Sequence, residues 1–355
     1  MSVFLTGFPG FLGSALVDRL LDRRDAVHCL VQPEYRDAAE ARARELAGGD
    51  WRNRVVLHEG DVTDPDLGLG DERDALPGDV EAVYHLAAVY DLGVSRAVGE
   101  AVNVDGTRHV LSFAADCDLQ AFQYVSTCYV SGRHDGVFSA ADLDVGQSFN
   151  NHYEATKFEA ELLVQDAMAD GLPATVYRPA ITVGDSETGE TQKYDGPYFV
   201  LQWLRRCPGV APLPVLPGAQ STELNVVPRN FVVDAIDHLA EHGDAGAVYQ
   251  LCDPNPPTIP ELTRLLADAT GTRVLPVPAT RGLAKRLLDA GVARSLTGIP
   301  PETLDYFTHP TRYVNPATRR ALAGSGVACP AFESYVDRLV AYVRDHPDVT
   351  SAAMA

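Results

Sequence analysis

The chain holds 355 residues with a formal net charge of −20, 46% of them hydrophobic and 22% charged. That size suits one large α/β domain or a domain with a smaller lobe, and the composition excludes a disordered chain. The acidity argues against a nucleic-acid or anionic-membrane partner, because both present negative charge that selects a basic surface. The cations are nearly all arginine, with lysine only at Lys157, Lys193 and Lys285. An acidic, lysine-poor surface suits solubility in high salt, so a halophilic source is expected. Cys29, Cys117, Cys128, Cys207, Cys252 and Cys329 have no ligand spacing and read as scattered reduced thiols. No leader precedes the first apolar run, and no run is long enough to span a bilayer. A soluble cytoplasmic protein is expected.

Val3-Phe4-Leu5 reads as a strand, and Leu12, Ala15, Leu16 and Leu20 fall at helical spacing after it. Between them lies Thr6-Gly7-Phe8-Pro9-Gly10-Phe11-Leu12-Gly13. A glycine-rich turn from strand to helix has a mechanism. Gly7 permits the turn, Gly10 lets backbone approach a pyrophosphate, and Gly13 lets the helix pack on the sheet. Val27 to Val31 is the second strand. An acid at its end would bind a ribose 2′-hydroxyl, but here Gln32 and Pro33 stand there, followed by Glu34 and Arg36. This favours NADP(H), with Arg36 the candidate 2′-phosphate contact, and leaves NAD(H) open through Glu34.

A charged helix from Asp37 to Leu46 precedes a third strand, Arg54 to His58, which runs into Glu59-Gly60-Asp61-Val62. Asp61 and Val62 are candidates for the adenine end, the alternative for Asp61 being a cap or turn role. Ala82 to Ala88 is a fourth strand whose small end, Leu86-Ala87-Ala88, lets a cofactor lie against backbone. His85 reads as a packed strand residue rather than a catalyst. A long helix over Arg96 to Cys117 leads to a fifth strand, Ala121 to Val125, with Ser126-Thr127 at the edge where open sheets bind ligands.

Tyr153-Glu154-Ala155-Thr156-Lys157 then opens a long helix with apolar positions Phe158, Leu162 and Val164. Residues at i and i+4 share a face, and an ammonium beside a phenol brings its proton into use near neutral pH. With 14 tyrosines and three lysines, chance supplies about 0.1 such spacings. Ala174 to Arg178 is a sixth strand ended by Pro179, which joins the cofactor-binding candidates. Alternating strands and helices predict a doubly wound parallel sheet of the Rossmann type.

Residues 1–183 are expected to form the dinucleotide-binding domain, with 224–253 returning to it through Leu224 to Val227, a helix from Phe231 to Glu241, and the strand Val248 to Leu251. Residues 184–223 and 254–355 are expected to form a smaller, mostly helical substrate lobe, in which Gly184 to Pro197 is a mobile loop over the site. A helix from Val200 to Arg206 precedes the proline-rich stretch Pro208 to Pro217, and Phe332 to Arg344 is the last helix. His238 and His242 are one helical turn apart, but the residues between them are not a zinc-protease motif and no third ligand follows. They read as a solvated face, and no metal is expected.

These motifs resemble the extended short-chain dehydrogenase/reductase family over roughly residues 2 to 255. The Thr6-to-Gly13 turn, Gly60-Asp61-Val62-Thr63 with Pro65 to Leu69, and Val125-Ser126-Thr127 resemble its fatty acyl-CoA reductase and thioester reductase branch. The resemblance implies Tyr153 as general acid/base, and Lys157 as the residue that lowers the tyrosine pKa and holds the nicotinamide ribose. It also implies a Ser/Thr that hydrogen-bonds the substrate oxygen. Thr127 is preferred for that third role because its spacing to Gly132 matches the family's usual turn, with Ser126 the alternative. The implied activity is reduction of a small-molecule carbonyl or acyl-thioester by NAD(P)H, and a homodimer is implied as well. A nucleotide-sugar epimerase or dehydratase holding tightly bound NAD, and a non-catalytic dinucleotide sensor, are the competing readings. The Tyr153/Lys157 pair counts against the sensor.

Overall fold

In the computed structural model, which describes residues 2–207, 209–280, 282, 286 and 301–349, the chain begins with strands and helices that alternate as far as β3. These are β1 (Ser2–Thr6), α1 (Phe11–Leu21), β2 (Ala26–Val31), α2 (Arg36–Ala47), β3 (Val55–Glu59) and β4 (Val80–His85). A long helix α3 follows, entering as Arg96–Gly99, widening to a π-helical turn over Glu100–Asp105, and ending as Gly106–Ala115. Next come β5 (Ala121–Val125), the short β6 (Gly136–Phe138), α4 (His152–Ala169), β7 (Ala174–Pro179) and β8 (Ile181–Val183). The remainder is α5 (Pro197–Arg206), β9 (Val210–Val215), β10 (Val226–Pro228), α6 (Arg229–His242), β11 (Val248–Leu251), α7 (Ile259–Thr270), β12 (Arg273–Pro278), β13 (Thr311–Tyr313) and α8 (Val336–Asp345).

Seven strands form one parallel sheet in the order β11-β7-β5-β4-β1-β2-β3. The expected α/β doubly wound sheet of the Rossmann type is therefore present. Its strands are mostly apolar because both faces are covered, with Val3, Phe4 and Leu5 of β1 fully buried. On one face α1 and α6 share a core of Leu16, Val17, Leu20, Phe231, Val232 and Ile236, and Arg19–Asp234 and Arg24–Glu241 pairs stitch their exposed sides at 2.8 and 2.5 Å. On the other, α3 and α4 pack Val110, Phe113, Ala160 and Val164 against Phe4, Val83 and Phe122. Strand order reverses between β1 and β4, which opens a crevice at the strands' carboxyl ends.

A second core gathers α5, α7 and α8 around Leu201, Leu204, Leu262, Leu266, Tyr335 and Leu339. Here the sequence reading needs correcting. Leu224 to Val227 does not join the main sheet, since β10 pairs only with β8. Within the proline-rich stretch, to which the sequence assigned no element, Val210–Val215 forms strand β9, paired in parallel with β12. Proline is tolerated there because each strand of a two-stranded ribbon has an unpaired edge. Side chains of β9 alternate, Ala211 and Leu213 inward and Val210, Pro212 and Pro214 outward. Strands β6 and β13 form a further two-stranded pair. Among the described residues, no helix is long and apolar enough to cross a membrane.

Candidate active site

The turn after β1 is built around a carbonyl. Gly7 adopts φ +95°, and a Cβ there would lie 2.9 Å from the Ala87 nitrogen, so only glycine fits between the ends of β1 and β4. A Cβ on Gly13 would sit 2.3 Å from the Gly7 oxygen, and one on Gly10 would sit 2.8 Å from the same atom. Gly13 therefore makes room for the turn's own carbonyl rather than for the sheet. Helix α1 begins at Gly10 with no side-chain cap, which leaves first-turn N–H groups for an anion, as a pyrophosphate site requires. Leu86 and Ala87 lie just past β4, where their N–H groups donate to the Thr6 carbonyl (3.2 Å) and hydroxyl (3.1 Å).

Gln32 and Asp61 close the far end of this crevice. The Gln32 amide donates to the Asp61 carboxylate at 2.7 Å, and the other carboxylate oxygen accepts from the Thr63 N–H and hydroxyl at 2.8 and 2.9 Å. Asp61 is thus both a turn residue and a wall of the pocket. Arg36 does not line the pocket. Its guanidinium is held by Glu40 and Glu59, each at 3.5 Å, and donates to the Leu57 carbonyl at 3.4 Å. Tyr35 occupies the wall instead.

The Tyr153 helix buries a face that its hydrophobic pattern does not announce. Phe158 and Leu162 are half-buried at its side, whereas Tyr153, Thr156, Lys157, Ala160, Glu161 and Val164 face inward. Asn151 caps the helix by accepting the Glu154 N–H at 3.0 Å. Lys157, 2% exposed, donates to the Tyr124 hydroxyl at 2.8 Å and the Val125 carbonyl at 2.9 Å. Burial lowers its pKa to about 7, with Glu161 opposing that shift. Tyr153 is buried as well, and burial pushes its phenol far above the usual tyrosine range, the Thr127 hydroxyl offsetting this in part. The expected lowering of the tyrosine pKa is not what this arrangement produces. Burial dominates the phenol, and the Lys157 ammonium directs its hydrogen bonds to Tyr124 and Val125 rather than to Tyr153.

Ser126 and Thr127, both candidates in the sequence with Thr127 preferred, differ in what they bond. The Ser126 hydroxyl donates to the Glu161 carboxylate at 2.5 Å. Glu161 in turn pairs with the Arg178 guanidinium at 2.6 Å, both side chains fully buried. The Thr127 hydroxyl has a long contact to the Pro179 carbonyl at 3.4 Å and accepts from the Tyr129 N–H at 3.2 Å. His85 is a core residue. One ring nitrogen meets the Thr6 hydroxyl at 2.7 Å and the other Thr107 at 3.0 Å, and burial, with Lys157 adding to it, pushes the ring down to about 3.

One continuous pocket carries Gly7 through Gly13, Gln32, Asp61, Val62, Leu86, Ala87, Ala88, Ser126, Thr127, Tyr153, Lys157 and Pro179 on its wall. Of the site residues read from the sequence, Arg36 and its alternative Glu34 lie off it. Glycine cradle, uncapped helix and lysine together suit a dinucleotide. The pocket continues into the second core through Tyr90, Lys193, Asp195, Leu224, Ile259 and Phe307. The 184–197 segment is a packed wall rather than a loose loop. Tyr194 is fully buried, its hydroxyl donating to the His346 carbonyl at 2.7 Å, and Lys193 donates to the Tyr90 carbonyl at 2.9 Å.

Several residues escaped the sequence reading. Tyr90 meets Tyr153 edge to face with ring centres 5.0 Å apart. Asn103, inside the π-helical turn, accepts the Val89 N–H and donates to the Thr156 hydroxyl, both at 2.9 Å, tying the β4 loop to the tyrosine helix. Glu161, one turn beyond Lys157, and Arg178, a charge within an apolar strand, were the detectable signals. His238 and His242 stack on an exposed face with centres 4.5 Å apart, and among the described residues no group of three or more His, Cys, Asp or Glu is placed to hold a metal.

The family of NAD-binding domains described as male sterility protein matches residues 5–236. The chain belongs to this family. It is an extended short-chain dehydrogenase/reductase of the fatty acyl-CoA reductase and thioester reductase branch. A linear gramicidin synthase from Brevibacillus parabrevis is 32% identical over 269 residues, covering 72% of this chain and 5% of that protein. Fatty acyl-CoA reductase wat of Drosophila melanogaster is 27% identical over 277 residues, covering 66% of this chain and 53% of that one. Among solved structures of the family's fold, the terminal R domain from the myxalamid PKS-NRPS biosynthetic pathway superposes with a TM-score of 0.84 at 28% identity. That match covers 97% of this chain and 90% of the other. The chain thus spans only part of these curated relatives, about half of the reductase and a small fraction of the synthase.

Proposed function

We propose that this chain is an NAD(P)H-dependent oxidoreductase that reduces a small-molecule carbonyl or acyl-thioester. The supporting observation is that Tyr153, Lys157, Ser126 and Thr127 share one pocket wall with the glycine turn, the Ser126 hydroxyl being spent on Glu161. Gly7 through Gly13 and the first turn of α1 would hold the pyrophosphate. Gln32, Asp61 and Val62 would flank the adenosine, and Leu86 to Ala88, Pro179 and Lys157 the nicotinamide end. When bound, the cofactor supplies a hydride to the substrate carbon. Tyr153, kept protonated by burial, gives its proton to the oxygen on which charge develops. Thr127 donates a hydrogen bond to that oxygen, and the Lys157 ammonium stabilises the phenolate left behind.

NADPH is the preferred donor on this reading. No acid from the end of β2 reaches the pocket, since Glu34 is exposed and absent from its wall. Arg36 would contact a 2′-phosphate only after leaving Glu40 and Glu59. The substrate side is walled by Leu92, Ile181, Leu224, Ile259 and Phe307, with Lys193 its single described cation, a poor fit for the diphosphate of a nucleotide sugar.

The decisive experiment measures NADPH consumption with aldehydes and acyl-thioesters for the wild type and Tyr153→Phe. Loss of the general acid should lower kcat about 10²- to 10⁴-fold, while NADPH binding, followed by fluorescence titration, stays nearly unchanged. Undiminished turnover in Tyr153→Phe would overturn the proposed role. Stoichiometric NAD released on denaturation, with no turnover of either substrate type, would favour the epimerase or dehydratase instead.

A further inference from the structure

The chain uses arginine for its surface ion pairs and is nearly devoid of lysine, having three in all. Two of them, Lys157 and Lys193, line the same pocket, and Lys285 lies outside the described residues. Lys157 belongs to the reaction just described. Lys193 stands on the substrate side, on the segment that leads from β8 to α5. Its ammonium donates to the Tyr90 carbonyl at 2.9 Å, lies 3.3 Å from the Asp195 carboxylate, and sits over the Tyr90 ring at 4.4 Å. An ammonium has three N–H groups, so two protein acceptors leave one donor in hand. The nearby carboxylate cancels its net charge, so the donor suits a neutral acceptor rather than an anion.

A second polar group of the second lobe points to the same conclusion. The Thr303 side chain lines the pocket and is 7% exposed, yet its hydroxyl has no hydrogen-bond partner. Burying such an atom is unfavourable unless something satisfies it. Of the other threonines on the substrate side of this wall, Thr182 bonds the Ala180 carbonyl at 3.3 Å and Thr191 the Lys193 carbonyl at 3.1 Å, while Thr263 is only partly buried. Leu92, Ile181, Leu224, Ile259 and Phe307 make much of the remaining wall apolar. Among the described residues on this wall, Thr303 is the buried side chain whose polar atom has no partner, and Lys193 keeps a donor in hand.

We propose that Lys193 and Thr303 are specificity-determining residues that select substrates carrying a neutral hydrogen-bonding group, an amide or a hydroxyl, beyond the reacting carbonyl, over plain hydrocarbon chains. The apolar wall accepts the hydrocarbon part of either substrate. What distinguishes the two is that a plain chain leaves the Thr303 hydroxyl and the third Lys193 N–H buried without partners. This selection rests on the reductase reading of the pocket, but its binding component does not require turnover.

The test compares octanal with an amide-bearing aldehyde of the same length by the ratio of their kcat/KM values. Calorimetry on the protein with the two corresponding alcohols reads binding alone. The wild type should favour the amide-bearing member of each pair by about tenfold or more. Thr303→Val and Lys193→Met should each bring that ratio toward one, and Thr303→Ser should preserve it. A wild-type ratio at or below one overturns the inference, as does a full preference retained in both Thr303→Val and Lys193→Met. If neither aldehyde is reduced but the alcohols bind with the expected preference, the reductase reading fails and the subsite stands.

Discussion

Lys157 has only neutral hydrogen-bond partners, the Tyr124 hydroxyl and the Val125 carbonyl, and its charge is correspondingly unfavourable in the folded protein. Its folded pKa of about 7 lies below the ordinary lysine value of 10.5. Between those values the unfolded chain binds the extra proton, so this group makes stability rise with pH there, and its penalty is complete below pH 7. Lys157→Met should therefore raise the melting temperature of the cofactor-free protein most at pH 6. The gain, on the order of 2 kcal/mol once the orphaned Tyr124 hydroxyl is counted, should fade as pH rises toward 10. A gain that grows with pH would show that the ammonium is not penalised as the burial implies. The same variant should lose activity. A residue that destabilises the empty protein and serves the loaded one is what a functional site predicts.

At the scale of elements, α4 decides the site. Its first turns carry Tyr153 and Lys157, and one turn further Glu161 anchors it to Arg178 of β7 and to Ser126 after β5. Arg178 also donates to the Asp142 carbonyl at 2.8 Å, so the pair joins four segments of the chain, α4, β7, the turn after β5 and the Asp142 loop. Removing one charge leaves the other buried alone. Glu161→Leu should cost about 3 kcal/mol or more in chemical denaturation, and adding Arg178→Met should recover much of that loss. A double variant no better than the single one would mean the pair acts through shape rather than charge. The spacing of Tyr153 and Lys157 was legible because helical geometry alone puts i and i+4 on one face. Which face of α4 is buried was not. Phe158 and Leu162 mark the apolar stripe, but partners elsewhere in the chain make the polar face the inner one.

Over the whole molecule, the charge of −20 opposes the compact state by self-repulsion, and salt shortens the reach of that repulsion from about 10 Å at 0.1 M to about 3 Å at 1 M. Raising sodium chloride across that range should increase the melting temperature by on the order of 5 °C. A flat or falling curve would show that local ion pairs such as Arg19–Asp234 outweigh the net charge. The second lobe has no comparable sequence signature. Strands β9 and β12 are two proline-rich stretches far apart in sequence, and neither has a reason to be a strand until the other lies beside it.

What the sequence determined by itself are the features that depend on near neighbours. These are the apolar strands of the sheet, the glycine turn, the Tyr153-to-Lys157 spacing and, through them, the fold and the family. Only the tertiary structure decided matters of partnership across long separations. It bonded the Ser126 hydroxyl to Glu161 with both Ser126 and Thr127 on the pocket wall, kept Arg36 off that wall, and set Lys193 over Tyr90 beside Tyr153. The physical reason is that backbone geometry acts over a few residues, whereas a buried polar group must find its partner wherever the chain brings one.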